Sequence, residues 1–165
     1  MKRIVATLLA ALATIAPAPT KAAPEEVDDH IKIIAVLDGL GIQLSSNDQF
    51  VCKEKGWKGG YNTDGSILVV CTEGASQEDR FNTLRHEAWH VYQDLRDCSL
   101  ADTGRVVPVF LQGVVPDDLK EWTAERYPVS LVPSEAEAFW AADVFEPEVI
   151  AKLLFFQAKS CGYKL

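Results

Sequence analysis

No part of this chain is apolar over the roughly 20 residues that a bilayer crossing takes. The nearest candidate, Ile4 to Ala16, is too short, so stable insertion into a membrane is not expected. Positive charge is also scarce, with 16 Lys and Arg against 24 Asp and Glu. The closest approach to a basic cluster is Lys53, Lys55 and Lys58 in one turn-like stretch, which reads as a solvated loop. A phosphate backbone is bound by clustered cations, so nucleic acid is excluded as a partner. Histidine occurs three times and cysteine four times, and no Cys-x-x-Cys pair is present to start a thiolate metal site.

What is there begins with Lys2-Arg3, the apolar run, and small residues up to Ala22, the pattern of a secretory signal peptide. Cleavage is expected near Ala22, leaving residues 23–165 as one domain that is secreted or periplasmic. Residues 1–22 contain Lys2, Arg3 and Lys21 and no acid, so the remainder carries 13 basic and 24 acidic side chains, a formal charge of −11. In an exported chain four cysteines suggest two disulfides. Cys52 and Cys71 flank an expected hairpin, which favours Cys52 with Cys71 and Cys98 with Cys161.

The fold expected is a small α+β domain. Residues 24–29 are acidic and read as a loose lead-in, followed by a helix whose face carries Ile31, Ile34, Ala35, Leu37 and Leu40. Gln49–Cys52 and Ser66–Cys71 are rich in β-formers and are separated by Gly-Gly and Asp-Gly turn signals, which predicts a β-hairpin. Ser76, followed by Glu78 and Asp79, opens a long helix running to about Arg96 with Phe81, Leu84, Ala88, Val91 and Leu95 on its core stripe. Three to four further helices complete the chain, among them Asp117–Tyr127, one capped by Ser134 and starting at Glu135, and Pro147–Lys159, while Pro108–Pro116 is irregular.

The long helix holds His86-Glu87-Ala88-Trp89-His90. Two histidines four apart on a helix project from one face and can meet one zinc ion, while the acid beside them can reach a water on the metal. With so few histidines in the chain, chance is a weak explanation of the pattern. Zinc sites that catalyse usually have three protein ligands and an open position for water. The metzincin continuation is excluded, since Gln93 and Arg96 stand where glycine and histidine would be. His30 is the only other histidine and reads as a surface or helix residue. The candidates for the third ligand are Glu135 and its rival Glu137.

Glu135 with Ala138, 45 residues beyond His90, resembles the gluzincin class of zinc peptidases, in which a Glu-x-x-Ala on a second helix completes the site. The likeness covers the two motif helices, and the whole is similar to small secreted bacterial peptidase-like domains. It implies zinc on His86, His90 and Glu135, Glu87 as general base, and hydrolysis of a peptide or protein substrate. In thermolysin-like families an acid or amide four residues after that Glu orients a zinc-bound histidine. Here Phe139 stands instead, leaving Asp94 or Asp143 as the acceptor. The resemblance also implies that a strand before the motif helix, here Ser66–Cys71, pairs with substrate. Tyr61, Tyr92, Tyr127, Arg85 and Arg105 are the available oxyanion donors, with Tyr92 and Trp89 read first as packing residues. Two other readings stand beside this one: a disulfide-stapled binding protein with a non-catalytic zinc site, and a zinc hydrolase of another amide such as a cell-wall peptide.

Overall fold

The computed structural model describes residues 24–62, 66–98, 100 and 113–165. The expected signal segment and most of the irregular stretch before Pro116 lie outside these residues. The fold is α+β, with a small three-stranded sheet and a predominantly helical remainder.

Helix α1 spans Pro24–Gly39, so the acidic stretch is helical from its start and is no loose lead-in. Proline suits the first helical position and acids suit the first turn, which outweighs the lack of apolar residues there. Its buried face holds His30, Ile33, Leu37 and Leu40, whereas Ile31 is 53% exposed. The expected stripe was therefore turned by about one residue, because a single polar side chain, His30, occupies a core position.

Strands β1 (Gln43–Ser46), β2 (Gly59–Asn62) and β3 (Ile67–Val70) form a sheet in the order β1-β3-β2. The hairpin exists, but its first arm is β2, antiparallel to β3. The expected arm at Gln49–Cys52 lies instead in a π-helical turn, Gln49–Glu54. Asp48 starts that turn by accepting the Val51 N–H at 2.9 Å, and Phe50 is 55% exposed. A β-former with no face to bury has no reason to join a sheet. β1 is polar in sequence, QLSS, and pairs parallel to β3 with Leu44 opposite Leu68.

Helix α2 spans Gln77–Leu95, capped by Ser76, whose Oγ accepts the Asp79 N–H at 3.0 Å. Of the expected core stripe, Leu84, Ala88, Val91 and Leu95 are buried and Phe81 is only half-buried. Burial extends around the helix to Thr83, His86, Glu87, Trp89 and Gln93. This follows from its position: the sheet lies on one side, and α4 (Val132–Val144) and α5 (Pro147–Ser160) on others, with α1 packed on α5. The short helix α3 (Asp117–Ala124) packs on α4. α4 begins three residues earlier than Glu135, with Pro133 in its first turn. Ser134 is thus inside the helix, its hydroxyl donating to the Leu131 carbonyl at 3.0 Å.

Both disulfides pair as expected, Cys52 with Cys71 and Cys98 with Cys161. No helix of the described residues is long and apolar enough to cross a membrane.

A candidate metal centre between two helices

His86 and His90 project from one face of α2, and α4, packed across it, brings Glu135 against both. The Nε2 atoms of the two histidines are 3.1 Å apart. Glu135 places Oε2 at 3.3 Å from His86 Nε2 and Oε1 at 3.5 Å from His90 Nε2. Ligand atoms about 2.0–2.1 Å from a tetrahedral centre stand about 3.3–3.4 Å from one another. The three groups thus already have the spacing of one face of such a tetrahedron, and they could hold a metal ion.

Glu137 does not compete for this position. It is 1% exposed and accepts a hydrogen bond from Gln93 Nε2 at 2.8 Å. The same amide nitrogen donates to the Ser134 carbonyl at 3.0 Å, which fixes the Gln93 side chain and leaves its oxygen facing His90. His90 Nδ1 donates to that oxygen at 2.8 Å, so its Nε2 is the nitrogen left to face the site. Gln93 therefore fills the orienting role for which Asp94 and Asp143 were candidates. Asp143 is exposed, and Asp94 lies against Tyr61, whose hydroxyl it helps to hold well above the usual range. The i+3 spacing of Gln93 from His90 was the available signal.

His86 has different surroundings. Its Nδ1 is buried without a hydrogen-bond partner among the described residues, and its ring lies 4.3 Å from that of Phe139. Phe139 thus stands close to a site histidine and offers it an aromatic surface in place of an acceptor.

Glu87 is 6% exposed, and β2 explains how a carboxylate is held there. A Cβ on Gly59 would meet Thr83 Cγ2 at 2.5 Å, the Val69 carbonyl oxygen at 2.7 Å and Glu87 Oε1 at 3.1 Å. Only glycine lets the strand come this close to α2. Two residues on, the Tyr61 main-chain N–H donates to the Glu87 carboxylate. Burial is the largest influence on Glu87 and raises its pKa, against the opposing pull of His86 and His90.

Burial works against the charged forms of His90 and Glu135 as well, but each stabilises the other more strongly. His90 is raised to about 9, and Glu135 is lowered to about 2 by its hydrogen bonds to both histidines. Tyr127, half-buried, is raised to about 12, first by burial and then by the charges of Glu135 and Glu87.

Of the remaining residues singled out in the sequence, His30 is buried and is no surface group. It stacks on Phe81 with centroids 3.9 Å apart, with Arg85 Nη1 3.4 Å from its Nε2. Arg85 Nε donates to the Ala142 carbonyl at 2.8 Å, which commits that side chain to packing α2 on α4. Trp89 is a core residue, and Tyr92 packs on it with centroids 4.8 Å apart. Arg105 lies outside the described residues. The strand expected to pair with substrate, β3, is the centre of the sheet, with β1 and β2 occupying both of its edges. It has no edge to offer, and among the described residues the strand beside Glu87 with a neighbour on only one side is β2.

No family model, curated protein or solved structure matches the chain.

Proposed function

We propose that the chain is an exported zinc-dependent metallopeptidase of gluzincin type, with zinc on His86, His90 and Glu135 and Glu87 as general base. The observation that carries the reading is the convergence of two imidazole nitrogens and one carboxylate at mutual distances of 3.1, 3.3 and 3.5 Å, with a second, separately held carboxylate on the same helix turn. Zinc is the ion that histidine-histidine-carboxylate sets commonly hold with a position left for water. When bound, it lowers the pKa of its water to about 7 and polarises a carbonyl. The rest of the reaction belongs to the chain's own groups. Glu87 removes the proton from the attacking water as the oxygen–carbon bond forms, then delivers it to the nitrogen as the carbon–nitrogen bond breaks. Tyr127, whose ring meets Phe139 beside His86, is the donor we assign to the oxyanion. β2, which among the described residues has a neighbour on one side only, supplies main-chain partners for an extended peptide.

A binding protein with a structural zinc would need no buried carboxylate placed by a glycine strand, so Glu87 favours catalysis over that alternative. Hydrolysis of another amide, such as one in a cell-wall peptide, would use the same groups. The two disulfides and the signal-like start support export. The test is to measure zinc per chain and peptide-library hydrolysis for the wild type and Glu87→Gln. One zinc in each, with cleavage only by the wild type, is the expected result. A wild type that takes up zinc yet cleaves no peptide overturns the peptidase reading, and one that takes up none overturns the metal site.

A further inference from the structure

Next to the candidate metal centre lies a group of aromatic side chains for which core packing gives no full account. Phe139 touches the His86 ring, and Trp122 and Tyr127 both meet Phe139 edge-on, at 5.1 and 6.1 Å between centroids. A cluster that served only the core would be closed over, but Trp122 is 39% exposed and Phe139 and Tyr127 are only half-buried. The turn between α3 and α4 continues the apolar surface with Val129, 85% exposed, and Leu131, 38% exposed. Trp122 is also held in place. The Arg126 guanidinium lies 4.2 Å from its ring, and Arg126 Nη1 donates to the Trp122 carbonyl at 2.7 Å. An indole that is exposed yet fixed loses little freedom when something docks on it.

We propose that Trp122, Phe139 and Tyr127 form the specificity surface of the site and receive a bulky apolar or aromatic side chain of the peptide, adjacent to the bond under attack. The inference rests on the peptidase reading and adds to it the class of substrate. Two features choose this occupant. The surface is continuous with the metal-facing His86 through Phe139. The cation that lies on it, Arg126, is already occupied by the Trp122 ring and by Glu125 at 3.1 Å.

The test uses small metal-binding probes, so that it does not depend on turnover. The full chain loaded with zinc is titrated by calorimetry with phenylalanine, alanine and aspartate hydroxamates. The phenylalanine probe is expected to bind about tenfold or more tighter than the alanine probe, and the aspartate probe no better than alanine. In Trp122→Ala, and in Phe139→Ala as a second variant, each read on its zinc-loaded fraction, the advantage of phenylalanine over alanine falls to a few-fold. Equal binding of phenylalanine and alanine by the wild type, or an advantage that survives both substitutions, overturns the specificity surface and leaves the peptidase reading standing. Failure of every hydroxamate to bind a zinc-loaded chain overturns both.

Discussion

The two flanks of the candidate site are built from opposite materials. Around His90 the structure is polar and closed: Gln93 ties its ring to buried Glu137, and Glu87 is held by the Tyr61 N–H under β2. Around His86 it is aromatic and half-open, running from Phe139 to Trp122. Hydrogen bonds have narrow geometry and suit a flank that must hold atoms within tenths of an ångström. Aromatic surface is tolerant in direction and suits a flank that meets molecules of varied shape. The contrast thus separates positioning from recognition within a single helix turn.

Changes on the polar flank should cost most. Glu87→Gln keeps the shape and the zinc but removes the base, and peptide hydrolysis is expected to fall by about 10²–10⁴-fold in steady-state assays. Gln93→Leu should break the division itself by leaving His90 without its acceptor and Glu137 without its donor. Zinc affinity, measured by competition with a chelator, is expected to weaken about 10–100-fold. The metal-free protein should also lose about 1–3 kcal/mol in urea unfolding, since a buried polar group is left unpaired. Gly59→Ala acts on the same flank from the strand side. The added methyl has to displace Thr83 and a backbone oxygen, so a loss of about 1–3 kcal/mol is expected, with reduced turnover at unchanged zinc content.

The smallest effect concerns protons. In the metal-free protein His90, raised to about 9, adds stability that is complete below its unfolded value of 6.5 and is lost as pH rises toward 9. Glu135, lowered to about 2, adds stability that is present above its unfolded value of 4.5 and lost as pH falls toward 2. Thermal unfolding without metal should therefore show its best stability from this pair between those two unfolded values. With zinc bound, the upper side reverses: the metal must displace the His90 proton, so its stabilising effect should grow as pH rises from 6.5 toward 9. A metal-free melting curve that keeps rising over that upper range would show that the pair is not charged as described.

The converging groups were readable in the sequence, because His86, Glu87 and His90 obey a helical spacing and Glu135 falls within a second helical segment, although that helix starts at Val132 and not at Glu135. Their supporting layer was not. Gln93 was read only as a departure from another class, although it lies one turn from His90, and Glu137 looked like a rival ligand until packing turned it toward Gln93. The aromatic flank escaped because Trp122 and Phe139 are 17 positions apart in sequence, and only the packing of α3 on α4 brings them together. In the sheet, the β-formers of Ile67–Val70 announced the central strand. The polar β1 and the glycine-rich β2 are strands by virtue of their neighbour and carry little signal of their own.

The positions of the two disulfides lead to a last consequence. Cys71 lies just before α2 and Cys98 just after it, so each bond anchors one end of the helix that carries both histidines and Glu87. With separations of 19 and 63 residues, loop closure alone makes them worth about 3 and about 4 kcal/mol. That is a large share of the roughly 5–15 kcal/mol that holds a domain together. A thiol reductant is therefore expected to lower the stability of the whole domain, and with it the hold of α2 against α4 that brings the three groups together.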